Sequence, residues 1–245
     1  MLENLTRQLD VPAMSSLYRE VSRTLAPIPI DFFGGCSVNK GFVMAELIRR
    51  FDLKESIDIG IYRGRSFFPQ AVAHRRWTNG TVYGVDPYSM GEALENDCGD
   101  LKDKVADFAA RLNFDELYQT VERNIVSAGL QQHAKIIRKT SMGAAPEFRE
   151  RGVSFGLIHI DGNHDTARVM EDVDAYLPLL KPSGFVVLDD ISWSSVRPAY
   201  DLVSRKMTHV FERVDGRNDY AVFADDCSMS KAVALRGLLK AVGWR

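Results

Sequence analysis

Two short apolar runs that each end in aspartate most constrain the fold of this chain. Residues 154–161 read Ser-Phe-Gly-Leu-Ile-His-Ile-Asp, and residues 181–190 read Lys-Pro-Ser-Gly-Phe-Val-Val-Leu-Asp-Asp. A segment with helical spacing separates them, which is typical of parallel strands joined by a crossover helix. Because the carboxyl ends of parallel strands meet at one edge of a sheet, we expect Asp161, Asp189 and Asp190 to lie close together.

Three carboxylates held close together repel one another unless a positive charge stabilises them. A hard divalent cation is the simplest source of that charge, since Mg²⁺ prefers oxygen ligands and keeps open positions for substrate and water. We therefore predict a magnesium site at Asp161, Asp189 and Asp190. The alternative interpretations are a turn at Asp161-Gly162 and a helix cap at Asp189-Asp190.

The rest of the chain extends the same alternation of strands and helices. Five predicted parallel strands and a final hairpin indicate an α/β fold with an open, mostly parallel seven-stranded sheet, helices on both faces and a C-terminal antiparallel hairpin. The predicted strands are Ser56–Gly60, Thr81–Val85, Ala134–Arg138, Phe155–Ile160, Phe185–Leu188, Thr208–Val214 and Tyr220–Ala224. The predicted helices are Val38–Phe51, Phe67–Trp77, Val105–Ala128 with a break near Asn113, Ala144–Arg151, Asp165–Leu180, Ser195–Lys206 and Ser230–Val242.

Three parts of the chain are expected from these patterns. Residues 1–50 form an N-terminal helical or lid segment, residues 51–225 form the main domain, and residues 226–245 form a C-terminal helix. The polar stretch from Tyr88 to Lys104 is a candidate mobile lid. The N-terminal helices and the last helix are candidate contacts for a homo-oligomer.

Composition excludes several classes of protein. Of 245 residues, 45% are hydrophobic and 26% charged, with a formal net charge of −2, so no basic excess indicates a nucleic-acid partner. No apolar run is long enough to span a membrane, and the first residues lack a signal-peptide core. Three scattered cysteines favour a reducing compartment. We expect a soluble, cytoplasmic protein.

A glycine-rich turn follows the first predicted strand. Residues 57–66 read Ile-Asp-Ile-Gly-Ile-Tyr-Arg-Gly-Arg-Ser, and Asp86 closes the next strand 22 residues after Gly64. Glycines allow a ligand to approach the backbone, and an acid at the end of the second strand can accept hydrogen bonds from ribose hydroxyls. The spacing differs from that of dinucleotide and triphosphate loops. We predict a nucleoside site; the alternatives are a tight turn at the glycines and a cap at Asp86.

This set of residues resembles class I S-adenosylmethionine-dependent methyltransferases. Residues 58–66 in particular resemble the first motif of catechol O-methyltransferases and of the sugar O-methyltransferases that modify macrolide and aminocoumarin antibiotics. The resemblance covers Phe51 to Asp225 and implies a Rossmann-like fold with S-adenosylmethionine as cofactor. It implies that Asp86 holds the ribose and that Ser141 and Met142 flank the adenine. The residues that it assigns to the rest of the cofactor are Gly60, Tyr62, Gly64, Ser66 and Asp161.

The same resemblance extends the prediction to the metal and the base. In the metal-dependent subgroup, the positions of Asp161, Asp189 and Asp190 hold magnesium. The position of His164 is lysine in the catechol enzymes and histidine in some macrolide-sugar enzymes, so this chain follows the sugar pattern.

His164 is the predicted catalytic base, because a neutral imidazole accepts a proton near neutral pH. Asp165 is the rival base, and a helix-cap role is the alternative for His164. Asn163 is a candidate for orienting the substrate and Trp193 for walling its pocket. His159, inside an apolar strand, is interpreted as a core histidine.

The predicted function is therefore Mg²⁺-dependent O-methylation of a small hydroxylated molecule, with a sugar or glycosylated natural product as the leading acceptor. One alternative is a relative with the same fold that resembles the hydroxylases of cephalosporin biosynthesis. Another is a cofactor-binding module that transfers no methyl group. An NAD-dependent oxidoreductase is disfavoured by the glycine spacing.

Overall fold

A seven-stranded sheet forms the centre of the computed structural model, which describes residues 10–31, 35–216, 219–226, 233 and 235–237. The strand order is β3-β2-β1-β4-β5-β7-β6, with β1 to β5 parallel and β7 antiparallel to both of its neighbours. The strands are β1 Glu55–Ile59, β2 Thr81–Val85, β3 Ala134–Ile137, β4 Phe155–Ile160, β5 Leu180–Asp189, β6 Thr208–Arg213 and β7 Tyr220–Ala224. The predicted fold class, including the C-terminal hairpin, is confirmed.

Helices cover both faces of this sheet. Their bounds are Val11–Leu25, Val38–Phe51, Phe67–Ala73, Met90–Ala93, Lys102–Ala109, Phe114–Ser127, Ser141–Glu150, Thr166–Tyr176 and Arg197–Lys206. A π-helical turn at His74–Thr78 and 3₁₀ turns at Gly99–Leu101 and Leu177–Leu179 extend three of them. The predicted break near Asn113 is present, because the Asn113 side chain accepts from the Glu116 N–H and begins a new helix there.

Each face of the sheet has its own apolar core. One core joins the Val11–Leu25, Val38–Phe51 and Phe67–Ala73 helices to sheet residues such as Leu157 and Val187. The other joins the helices after β3, β4 and β5 to residues of the opposite face, such as Ile158 and Val186. The Val38–Phe51 helix packs against the sheet and brings Lys40 to its carboxyl edge, and the Val11–Leu25 helix packs on the Val38–Phe51 and Phe67–Ala73 helices. None of the helices described is long and apolar enough to cross a membrane.

The fifth strand differs from its predicted bounds. The helix predicted at Asp165–Leu180 ends at Tyr176, and β5 begins at Leu180, which pairs with Phe155, rather than at Phe185. An irregularity in the pairing between Phe155 and Leu157 accommodates the polar stretch of residues 181–184, and Ser183 adopts a φ of 63° within it. The predicted helix Ser230–Val242 falls largely outside the described residues.

A buried histidine beneath β1 makes stability depend on pH. His74 is fully buried, with Nε2 2.9 Å from Ser56 Oγ and Nδ1 2.8 Å from Thr78 Oγ1. Burial lowers the pKa of His74 from 6.5 to about 3. The unfolded chain therefore binds an extra proton between these values, so stability falls as the pH drops below 6.5.

We expect the contribution of His74 to lower the free energy of unfolding by about 2 kcal/mol from pH 7 to pH 5, since one pKa unit corresponds to about 1.4 kcal/mol. Urea unfolding at pH 7, 6 and 5 measures it, and His74→Gln should show a pH dependence that is shallower by this amount. Equal slopes for the two proteins would contradict the assignment.

Candidate active site

A cavity of about 670 Å³ opens at the carboxyl edge of the parallel strands. It lies where the strand order reverses between β1 and β4, which is where ligands bind in open α/β sheets. Its volume is in the range of small-molecule sites. The predicted site residues that line it are Gly60, Tyr62, Asp86, Asp161, Asn163, His164, Asp189, Asp190 and Trp193.

Gly60 and Asp86 form one side of this cavity. Gly60 has a φ of 82°, and a Cβ there would lie 1.9 Å from the Asp161 carbonyl oxygen, so only glycine leaves this wall open. The Asp86 carboxylate accepts from the N–H groups of Tyr62, at 2.9 Å, and Tyr88, at 2.8 Å. These bonds fix the Asp86 carboxylate, which lines the cavity and can accept a hydrogen bond from a ligand hydroxyl. The cradle fits the nucleoside part of the predicted cofactor.

Four residues assigned to the cofactor lie away from the cavity lining. Gly64 has a φ of 85° and packs against the Phe68 ring, and Ser66 is buried before the next helix. Ser141 begins the helix after β3, and Met142 is exposed to solvent. Their roles in binding stay predictions.

Lys40 lies between two of the predicted metal ligands. Its Nζ is 3.4 Å from Asp161 Oδ2 and makes an ion pair with Asp189 Oδ2. The Lys40 side chain is only 2% exposed. Burial alone would lower the pKa of Lys40, but Asp161 and the other nearby acids outweigh burial and raise it, so the side chain is an ammonium. The same ammonium, with His164, holds the pKa of Asp161 below its usual range against the effect of burial.

His164 is surrounded by three carboxylates. Its Nδ1 lies 2.6 Å from Glu95 Oε1, and its Nε2 lies 2.8 Å from Asp190 Oδ2 and 3.6 Å from Asp161 Oδ1. Burial opposes the charge, but these acids, led by Asp190, hold the pKa of His164 well above 6.5. The imidazole is therefore protonated at neutral pH in this arrangement, whereas the prediction of a base assumed the neutral form. Its rival Asp165 is instead bonded to the backbone N–H groups of Asn96 and Asp97.

The predicted metal site can be tested against these contacts. Ligand atoms that lie within 4.8 Å of one another, among the residues described, form two groups, His159–Asp161–Asp189 and Asp161–His164–Asp190. Lys40 occupies the Oδ2 atoms of the first group, and a divalent ion about 4 Å from an ammonium would meet about 8 kcal/mol of repulsion at an effective dielectric constant of ~20. In this arrangement Lys40 therefore disfavours a divalent ion at the first group. Metal binding at Asp161, Asp189 and Asp190 stays a prediction, and no step below uses it.

His159, which was interpreted as a core histidine, is buried but also lies next to the carboxylates of the site. Its Nδ1 lies 2.6 Å from Asp58 Oδ1, while its buried Nε2 lies 3.7 Å from Asp189 Oδ2 and 4.0 Å from Asp161 Oδ2. Asp58 and His159 are register partners on β1 and β4. Together they form a buried polar layer beneath the carboxylates.

The polar segment from Tyr88 to Lys104 lies beside the cavity. Asn163 Nδ2 donates to the carbonyl oxygens of Glu92 and Leu94, and the Thr166 N–H donates to Asp97 Oδ2. Hydrogen bonds to the loop that follows β4 hold this segment in a defined position beside the cavity. Whether it moves as a lid stays a prediction.

Three residues with a strained backbone line the cavity. Tyr62, Tyr88 and Asp190 have φ values of 44°, 46° and 49°, and all three line it. A non-glycine residue in this region costs roughly 1–3 kcal/mol and persists only where the surrounding structure enforces it. These positions aim the Tyr62 N–H and the Asp190 carboxylate at the site.

Comparison with known proteins agrees with this geometry. A family model described as "Methyltransferase domain" matches residues 57–191, which is more than half of the chain and runs from within β1 to just past β5. The matched residues contain Gly60, Asp86, Asp161, His164 and Asp189. No curated protein sequence matches the chain significantly.

Solved structures share the fold at low sequence identity. An O-methyltransferase from Bacillus cereus in complex with SAH is 16% identical, with a TM-score of 0.58 over 85% of this chain and 90% of that one. The O-methyltransferase TomG from Streptomyces achromogenes, involved in tomaymycin synthesis and in complex with SAM, is 14% identical, with a TM-score of 0.56 over 88% and 94%. A putative caffeoyl-CoA O-methyltransferase from Staphylococcus aureus is 16% identical, with a TM-score of 0.55 over 87% and 92%. The chain belongs to the methyltransferase-domain family, and its predicted class, that of the class I S-adenosylmethionine-dependent methyltransferases, is confirmed.

Proposed function

We propose that this protein methylates a hydroxyl group of a small molecule, with a sugar or glycosylated natural product as the leading acceptor. The observation that carries the proposal is that one cavity holds both the Gly60–Asp86 cradle and the cluster of His164, Asp161 and Asp190. The first fits a nucleoside, and the second provides polar groups for an alcohol and its proton. The structural neighbours that bind SAM or SAH are themselves O-methyltransferases.

S-adenosylmethionine supplies an electrophilic methyl group when bound, so the protein needs no covalent intermediate. Its residues have to position the acceptor oxygen, exclude water and receive the hydroxyl proton. We assign receipt of the proton to the His164–Asp190 pair, with the Asp190 carboxylate as the acceptor, because the two side chains lie 2.8 Å apart and a protonated imidazole has no lone pair to offer. Asp190 is the more accessible member, with 29% of its side chain exposed.

The acceptor side of the cavity favours a ligand with both polar and apolar faces. The Trp193 ring lies 5.0 Å from the His164 ring and lines the cavity beside Asp190. Aromatic rings pack against the C–H faces of sugars while nearby carboxylates bind their hydroxyls. Glu92 and Asp161 add acceptors around the same space. This combination supports a hydroxyl-rich acceptor.

The proposal is tested by incubating the purified protein with S-adenosylmethionine and matched sets of glycosylated natural products, free sugars and catechols. We expect one set to gain the mass of a methyl group while S-adenosylhomocysteine is released in equal amount. A product that gains the mass of oxygen would favour the hydroxylase alternative. Calorimetric binding of the cofactor with no product from any set would favour a binding module.

A further inference from the structure

The carboxylates at the ends of β4 and β5 already have a cation from the protein itself. Lys40 comes from the Val38–Phe51 helix, 121 residues before Asp161 in the sequence. Its Nζ contacts Oδ2 of both Asp161 and Asp189 and lies 5.9 Å from the centre of the Tyr220 ring. Tyr220 is the first residue of β7, which pairs with β5. The ammonium therefore lies beside two carboxylates and near an aromatic ring.

Packing holds Lys40 in this position. The residue is 1% exposed, and its neighbours along the same helix face, Val43 and Leu47, belong to the apolar core. A buried ammonium is unfavourable unless it is paired, and the two carboxylates are the pairing groups. Removing it would leave the acids that surround it without compensation. Lys40 therefore has the electrostatic role for which a divalent ion was predicted.

The ammonium and a divalent ion would compete for the same atoms. A magnesium ion needs oxygen ligands at about 2.0–2.1 Å in near-octahedral geometry. The Oδ2 atoms of Asp161 and Asp189 are the inward-facing donors, and both contact Lys40. Beneath them, His159 Nε2 faces the same two carboxylates, so no further oxygen ligand approaches from that side.

We propose that Lys40 is the resident cation of this active site, taking the place of a divalent metal ion, so that methyl transfer requires no metal. This inference rests on the proposed function for its consequence on turnover, but its central claim concerns cation binding and can be measured without an acceptor. Its structural basis is the shared contact of one buried ammonium with Asp161 and Asp189.

Manganese binding tests this proposal directly. Mn²⁺ is titrated into the wild-type protein and into Lys40→Ala, and the free ion is followed by electron paramagnetic resonance. We expect no stoichiometric binding to the wild type up to millimolar ion. Lys40→Ala vacates the space between two carboxylates and should bind one Mn²⁺ at least tenfold more tightly than the wild type. Lys139→Ala is the matched control, because it removes an exposed lysine paired with Glu147 and should bind like the wild type.

Two results would overturn the proposal. One is stoichiometric Mn²⁺ binding by the wild type with micromolar affinity, and the other is a folded Lys40→Ala that binds no more tightly than the wild type. Lys40→Gln keeps most of the side-chain length and provides the same comparison if Lys40→Ala does not fold. Loss of wild-type turnover in a chelator, restored by Mg²⁺, would also overturn it. Failure to bind S-adenosylmethionine would instead count against the proposed function and leave the metal result intact.

Discussion

His164→Ala is expected to lower the turnover number at least ~100-fold while changing the affinity for S-adenosylmethionine less than about threefold. Acid–base groups commonly contribute factors of about 10²–10⁴ to rate. His164 touches Asp161, Asp190 and Glu95, so its loss removes the cation that orders these acids. It makes no contact with Asp86 or Gly60 in the cofactor cradle. Release of S-adenosylhomocysteine measures the first effect and calorimetry the second.

Two further variants separate a role in proton transfer from a merely structural one. Asp190→Asn keeps the shape of its side chain, so a comparable loss of turnover with unchanged thermal stability would support the pair. His209→Ala, on β6 and outside the cavity lining, is the matched histidine control and should keep full turnover. If His164→Ala turns over within threefold of the wild type, the assignment to His164 is wrong.

The sheet could be predicted from sequence because most of its strands contain a short apolar run followed by a turn residue. The convergence of polar groups followed from topology alone, since parallel strands bring their carboxyl ends to one edge. The structure places Asp161 and Asp189 near enough to share Lys40, and Asp161 and Asp190 near enough to share His164. The bounds of β5 could not be predicted in this way. Pro182 and Gly184 favour a turn, but the pairing of this segment with β4 overrides that preference.

The source of positive charge could not be predicted, because it depends on where a distant helix packs. A signal was nevertheless present in the sequence, because Lys40 shares one face of its helix with the apolar residues Val43 and Leu47. A lysine on an apolar helix face either lies at the boundary of that face, where it reaches solvent, or forms an ion pair in the interior of the protein. The apolar strand β4 contains a similar signal at His159, because its register partner Asp58 is also a buried polar residue.

Glu95 shows the remaining limit of local patterns. It lies in a segment that was read as a polar lid, yet it is 6% exposed and contacts His164 Nδ1. Nothing in its neighbours distinguishes it from the exposed acids around it. Only the hydrogen bonds between this segment and the loop after β4 turn it into part of the site.

Gly60→Ala is expected to destabilise the fold by at least ~3 kcal/mol and to weaken S-adenosylmethionine binding more than ~100-fold. The φ of 82° is strained for alanine, and the new Cβ would lie 1.9 Å from the Asp161 carbonyl oxygen and 2.8 Å from Gly162 Cα. Both obstacles are backbone, so relief requires the ends of β1 and β4 to separate. That movement would displace Asp161 and narrow the cradle. Urea unfolding and calorimetry measure the two effects.

Gly152→Ala provides the control that separates strain from the blocked cradle. Gly152 also has a positive φ, 62°, but a Cβ there would meet no atom within 4 Å, and the residue lies outside the cavity lining. Gly152→Ala should lower the free energy of unfolding by only about 1–2 kcal/mol, which is the penalty for alanine in a left-handed conformation, and should leave the cofactor affinity unchanged. Equal losses of affinity in the two variants would mean that strain alone accounts for the effect. Unchanged affinity in a folded Gly60→Ala would show that the cofactor does not approach β1 at this turn.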